Sequence, residues 1–94
     1  MTIKFKKWVC FISKGTYKNG RTVLQLIDVT DHSPIAVATV NLPDVSLEPD
    51  EVIIKNYSEN EGMSEALQIA GVIGEPLRSI RTGYVFVMVH KLLI

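Results

Sequence analysis

The sequence has one cysteine, no long apolar run and no acidic residue among its first 24 positions. A single cysteine cannot form an internal disulfide, and it is typical of a reducing compartment. The longest apolar run, residues 85–89, has the length of a strand and falls far short of the roughly 18 residues that a membrane span needs. The apolar run that follows Trp8 is also shorter than the roughly 7–15 residues of a secretory signal. These absences predict a cytoplasmic protein without a membrane segment.

Residues that catalyse reactions or bind metals are few and scattered. Cys10, His32 and His90 do not form any spacing that a zinc site uses. Neither histidine has a partner visible in the sequence, and no nucleophile motif is present. Cys10 lies in an apolar strand and is expected to be an inert core residue, while His90 follows an apolar run and is expected in the core or at an interface. The sequence therefore predicts a protein that is not an enzyme and holds no metal or cofactor.

Apolar alternation and turn signals predict a chain rich in strands. The predicted strands cover residues 3–13, 22–29, 35–42, 52–57 and 84–93. Asn19 and Gly20 predict a hairpin turn between the first two strands, because both residues tolerate positive φ. Two further segments, residues 43–50 and the basic stretch before Tyr84, are predicted as loops.

One helix is predicted between the fourth and fifth strands. Ser58 and Glu61 have the spacing of a capping box, with Asn60 as an alternative cap. An apolar stripe follows at helical spacing, and Gly71 or Gly74 is expected to end the helix. The stripe consists of Met63, Ala66, Leu67 and Ala70.

The element order β-β-β-β-α-β predicts one α+β domain over residues 1–94. We expect a curled antiparallel sheet of about five strands with one helix packed on one face. A single short helix covers only part of a face, so the other face has to curl into a partial barrel or pair with a second subunit. Because the last strand is apolar on both faces, we expect a homodimer.

Charge is sorted along the chain although ten cations balance ten acids overall. Residues 1–24 hold six cations, whereas residues 25–65 hold nine acids and one lysine. Separated charge of this kind predicts surfaces of opposite potential that steer a partner.

The acidic middle of the chain is the first candidate site, interpreted as a contact face for a partner protein. The alternative is a solvated loop and helix cap. The predicted face consists of Glu48, Asp50, Glu51, Tyr57, Glu59, Asn60 and Glu61.

Basic and aromatic residues form the alternative candidate, a site for an anionic nucleotide. Arginine clamps phosphate oxygens in a fork, and Tyr17 or Trp8 would stack on the base. The competing interpretation is that the aromatics are core and the lysines protect sheet edges. The candidate residues are Tyr17, Lys18, Arg21, Arg78 and Arg81.

Three stretches carry a family resemblance: NGRTVLQLID at residues 19–28, ATVNLP at 38–43 and IKNYSENEGM at 54–63. Together they resemble a family of small, uncharacterised bacterial proteins associated with phages and mobile elements, over about residues 17–72. The resemblance implies a protein of the bacterial host cytoplasm that inhibits a defence system, as anti-CRISPR proteins do, by binding a protein partner. It also leaves open a sponge for a nucleotide signal, or a plain protein-interaction domain. It implies no catalytic residues.

Overall fold

Seven strands, one α-helix and one short 3-10 helix make up the fold in the computed structural model, which describes all of residues 1–94. Every strand pair is antiparallel, so the predicted α+β class with antiparallel sheets is confirmed. The elements are β1 (Thr2–Phe5), β2 (Trp8–Thr16), β3 (Thr22–Asp28), β4 (Pro34–Val37), β5 (Glu51–Ile54), the 3-10 helix (Ser58–Asn60), α1 (Met63–Ile69), β6 (Ile73–Thr82) and β7 (Val85–Leu92).

The strands form two sheets that meet along one seam. The first sheet has the order β1-β2-β3-β4 and the second the order β5-β7-β6. Thr39, just after β4, bridges to Ile54 of β5, and the backbone N–H of Lys55 donates to the carbonyl of Ala38 at 2.8 Å. The predicted single curled sheet of about five strands is therefore two joined sheets with seven strands in total.

Two local predictions are corrected by strand pairing. The expected first strand, residues 3–13, is a hairpin of β1 and β2, because Lys6 has a positive φ of 55° and the chain reverses there. The expected basic loop before Tyr84 is β6, in which Arg78 pairs with Val89 and Arg81 with Phe86. An outer strand tolerates the proline and the polar residues that made this stretch look like a loop.

The helix forms where its apolar stripe predicts it, but its cap is different. Ser58 is the first residue of the 3-10 helix, with φ of 56°, and no side chain caps that helix, so the predicted capping box is wrong. Asn56 supplies the cap of α1, because its Oδ1 accepts the backbone N–H of Ser64 at 2.8 Å. Gly71, with φ of 75°, follows the end of the helix as expected. No helix has the length and apolar character needed to cross a membrane.

The helix and both sheets enclose one main core. Met63 and Leu67 of α1 are fully buried with Leu24 and Leu26 of β3 and Ile54 of β5. The helix contacts β1 and β6, which are outer strands of the two sheets, so it lies across the opening between them. The helix thereby covers the main core between the two outer strands.

A second, smaller core lies on the opposite face of the β5-β7-β6 sheet. Ile53, Val87 and Val89 are buried there beneath apolar side chains of residues 40–47. We refer to residues 42–47 as the covering segment. The covering segment buries the face of β7 that carries Val87 and Val89. The opposite face of the β6-β7 hairpin is exposed to solvent near the hairpin tip.

Candidate functional site

Half of the predicted acidic face lies where β5 begins. Glu51 accepts two hydrogen bonds from the guanidinium of Arg78, at 2.9 and 3.0 Å, and its side chain is only 10% exposed. The same carboxylate accepts the backbone N–H of Glu48 at 3.0 Å. Asp50 lies 3.6 Å from the ammonium group of Lys91. Glu51 and Asp50 are therefore paired with bases from β6 and β7, and Glu48 is the acid of this group without an ion pair.

The Glu51–Arg78 pair is a structural contact. The hydrogen bonds from Arg78 and then from the Glu48 N–H lower the pKa of Glu51 to about 2. Arg78 also donates to the backbone carbonyl of Ser46 at 3.0 Å. The pair thus fastens the covering segment to the sheet, which accounts for the shifted pKa without invoking catalysis.

The other half of the acidic face surrounds the 3-10 helix. Glu59 forms an ion pair with Lys55, whose hydrogen bond lowers the pKa of the Glu59 carboxyl. Asn60 is buried, and its Nδ2 donates to the backbone carbonyl of Val37 at 2.7 Å. Glu61 is exposed and makes no ion pair. Of these three residues, only Glu61 presents an uncompensated charge to a partner.

The separation of charge along the sequence is not kept in space. The Nζ of Lys6 donates to the backbone carbonyl of Glu59 at 2.8 Å, although the two residues are 53 positions apart. Lys4 and Lys6 also line the same cleft as Glu61 and Glu65. The fold therefore brings the basic amino-terminal segment against the acidic middle instead of holding the two apart.

The arginines of the predicted anion site are used to bind backbone carbonyls. Arg21 donates to the carbonyl of Leu42 at 2.7 Å and also to the carbonyl of Val45. Together with Arg78, it holds the covering segment in place. Arg81 donates through Nε to the carbonyl of Gly83 at 3.3 Å.

The structure does not bring the predicted anion-binding residues together. Tyr17, Arg78 and Arg81 line three different clefts, and Lys18 and Arg21 line none. Trp8, the other candidate stacking residue, packs against the main core with the Lys7 ammonium 5.2 Å from its ring. Arg78 and Arg81 therefore share no cleft with Tyr17, and these residues do not form the predicted fork beside a stacking ring.

One cleft joins residues from both predicted sites. It has a volume of about 460 Å³, and Tyr17 and Tyr57 are among the residues that line it. The Tyr17 hydroxyl lies 2.9 Å from Oγ1 of Thr39, and the Lys55 ammonium lies 5.4 Å from the Tyr57 ring. Because the ammonium and the hydroxyl are already paired within the chain, this cleft offers few free polar groups to a ligand.

The tip of the β6-β7 hairpin is the most exposed apolar feature of the fold. Tyr84 is fully exposed, at 101%, and Phe86 is 65% exposed. Phe86 shares a sheet face with Met88 and with its cross-strand neighbour Arg81. We call this surface, made of Arg81, Tyr84, Phe86 and Met88, the hairpin face.

The sequence contained a partial signal for the hairpin face. The last strand is apolar on both faces, and this pattern was the basis for expecting an interface there. Periodicity alone does not identify Tyr84 and Phe86 as the exposed residues, because it predicts a loop in place of β6 and does not reveal the covering segment.

Cys10 and His90 are buried residues of the fold. No group of His, Cys, Asp or Glu is arranged to hold a metal ion. Cys10 is fully buried, and burial raises the pKa of its thiol. His90 is buried, with Nδ1 donating to the carbonyl of Gly74 at 2.9 Å.

The chain matches no protein-family model, no curated protein and no solved structure.

Proposed function

We propose that this chain is a non-enzymatic binding domain that docks on a partner protein through the hairpin face. The single observation that supports this most is the exposure of Tyr84 and Phe86 together on one hairpin. Large aromatic rings gain free energy when they leave water, and they are enriched among the residues that dominate protein interfaces. Neither ring is needed by the two cores, so exposure here has no folding benefit.

Charge beside the aromatic rings favours an interface of a particular chemistry. Arg81 lies opposite Phe86 on the same face, and arginine is enriched at interfaces where it meets carboxylates. The partner surface would therefore combine an apolar pocket for Phe86 with an acidic rim for Arg81.

The biological setting we propose is inhibition of a bacterial defence system by a phage or mobile-element protein. It is supported by the resemblance carried by residues 17–72. A nucleotide sponge is the weaker candidate, because Arg21 and Arg78 already bind groups within the chain.

A site-specific photo-crosslinker tests the docking surface in the bacterial host. We expect a discrete heterologous adduct when p-benzoylphenylalanine replaces Tyr84 or Phe86, and none when it replaces Val29, which is 39% exposed in the turn after β3. Unlabelled wild-type chain should compete the adduct, and the Tyr84→Ser/Phe86→Ser chain should not. Adducts of equal yield from all three positions, or only a self-adduct at twice the mass of 10.5 kDa, would contradict the heterologous interface.

A plaque assay tests the setting separately. Expression of the wild-type chain in a strain protected by a defined CRISPR system should restore phage plating by at least about tenfold. The Tyr84→Ser/Phe86→Ser variant should lose this effect, whereas Val29→Ser should keep it. Unchanged plating across a panel of defence systems would reject the inhibitor role while leaving the crosslinking result to judge protein binding.

A further inference from the structure

Side chains alone supply the polar contacts between the covering segment and the sheets. The backbone hydrogen bond within the segment is a turn bond from the N–H of Val45 to the carbonyl of Leu42, and no backbone hydrogen bond joins the segment to a strand. Arg21 donates to the carbonyls of Leu42 and Val45, and Arg78 donates to that of Ser46. Loss of these two guanidinium contacts would therefore leave the segment without a hydrogen bond to either sheet.

Both ends of the covering segment are anchored by backbone hydrogen bonds. Before the segment, the N–H of Val40 donates to the carbonyl of Ile53 at 3.0 Å. After it, the carbonyl of Asp50 accepts the N–H of Leu92 at 2.7 Å. A segment that is fixed at its two ends and has no backbone bond to a strand between them can move as one unit, while the strands on either side keep their pairing.

The apolar contacts of the covering segment are incomplete. Leu42, Val45 and Leu47 pack on the second core, but each is only partly buried. Two clefts border the segment, one of about 380 Å³ beside Arg78 and one of about 160 Å³ beside Ile80. Lifting the segment therefore returns less apolar surface to water than unfolding of the main core, which has twelve buried side chains.

The side chains beneath the covering segment form an apolar row on the second sheet. Ile53, Val87 and Val89 are at most 2% exposed, and Ile53 is the cross-strand partner of Val89. Successive side chains of a strand point to opposite faces, so Val87 and Val89 lie on the reverse side of β7 from Phe86. Opening of the segment uncovers this reverse side.

We propose that the covering segment opens as a unit while both sheets and the main core stay folded. Opening controls access to the apolar face made of Ile53, Val87 and Val89, and the contacts of Arg21 and Arg78 hold the segment closed. The inference does not depend on the function proposed above, because it concerns the side of β7 opposite to the hairpin face.

A thiol placed beneath the covering segment tests the opening, and Cys10 serves as the control in the same chain. Cys10 is the sole cysteine and is fully buried in the main core. In a Val87→Cys chain, N-ethylmaleimide should modify the new thiol at least about hundredfold faster than Cys10, with peptide mass spectrometry assigning each site. Urea below the unfolding transition should change the rate at the new thiol little, whereas the rate at Cys10 should rise steeply, because only global unfolding exposes a large surface.

Two matched substitutions test the arginine contacts. Arg21→Ala in the Val87→Cys chain removes the donor to two carbonyls of the covering segment, and it should speed modification of the new thiol at least about tenfold. Lys18→Ala removes a cation from the same β2-β3 connection and should leave that rate within about twofold. A Val89→Cys chain repeats the measurements at a second buried position, so that the test stands if Val87→Cys does not fold.

Two results would overturn the proposal. Equal modification rates for the new thiol and Cys10 at every urea concentration would show that the second core opens only when the whole chain unfolds. Equal effects of Arg21→Ala and Lys18→Ala on the rate at the new thiol would show that the thiol reaches solvent without release of the arginine contacts.

Discussion

Single arginines decide whether the second core stays covered. Arg21 lies just before β3 and Arg78 lies in β6, and both donate to backbone carbonyls of the covering segment. Hydrogen bonds from a charged donor contribute more than neutral ones. Arg21 and Arg78, which the sequence predicts as ligand-binding residues, thus hold the covering segment against the apolar side chains of the second core.

Replacement of Arg21 should destabilise the fold more than replacement of its neighbours. Arg21→Ala leaves the Val45 carbonyl without a donor and the Leu42 carbonyl with only the N–H of Val45, and it should lower the free energy of unfolding by about 2 kcal/mol. Lys18→Ala, an exposed residue without a side-chain hydrogen bond, should change it by less than about 0.5 kcal/mol. Urea unfolding at pH 7 measures both, and equal effects would contradict the role of Arg21.

The Glu51 carboxylate should make stability depend on acid pH. Its pKa is about 2 in the folded chain against 4.5 in its ordinary state, so the unfolded chain binds the proton more readily. The stabilisation is therefore complete above about pH 4.5 and is lost as the pH falls towards 2.

A matched pair of variants isolates this carboxylate. Glu51→Gln should show a smaller loss of urea midpoint between pH 6 and pH 3 than the wild-type chain. Glu61→Gln, which removes an acid without an ion pair, should follow the wild-type chain. An identical pH profile for Glu51→Gln and the wild-type chain would show that the Arg78 contact does not stabilise the fold.

At the scale of elements, residues 56–62 form a corner that joins β5 to α1. Asn56 caps the helix, Asn60 ties the corner to β4, and Gly62 takes a positive φ of 90° just before the helix begins. Much of the family-like IKNYSENEGM stretch therefore has a structural role. The acidic contact face remains a prediction, and Glu48 and Glu61 are its exposed acids without an ion pair.

The cap seen in the structure, Asn56, and the cap predicted from the sequence, Ser58, can be compared directly. Asn56→Ala should lower the free energy of unfolding by about 1 kcal/mol, because the N–H of Ser64 loses its acceptor. Ser58→Ala should cost less than about 0.5 kcal/mol, since no side chain caps the 3-10 helix that Ser58 begins. Thermal unfolding followed by circular dichroism measures the effect of each variant. A larger effect of Ser58→Ala than of Asn56→Ala would support the capping box predicted from the sequence.

For the whole molecule, the homodimer expected from the sequence remains a prediction. In the absence of the proposed partner protein, the hairpin face is the apolar surface best able to support it, because Tyr84 and Phe86 are both exposed. Light scattering over a hundredfold range of concentration should give a mass rising towards twice 10.5 kDa, and Tyr84→Ser/Phe86→Ser should hold the chain at the monomer mass. A constant monomer mass for the wild-type chain would contradict the homodimer prediction.

Local features of the fold were predictable from the sequence, and pairings between distant residues were not. The turn at Asn19-Gly20 and the buried stripe of α1 follow from backbone preference and helical spacing over a few residues. The conversion of the stretch around Arg78 into β6 depends on β7 offering an unpaired side, which no local pattern records.

The sequence by itself determined the α+β class, the stripe that anchors the helix and the excess of apolar residues on the last strand, because these depend on neighbours along the chain. Only the tertiary structure decided that Arg78 meets Glu51, that Lys6 meets the 3-10 helix, and that Tyr84 and Phe86 stay exposed. Those outcomes depend on which strands pair and which segment covers each face, and contacts between residues tens of positions apart set both.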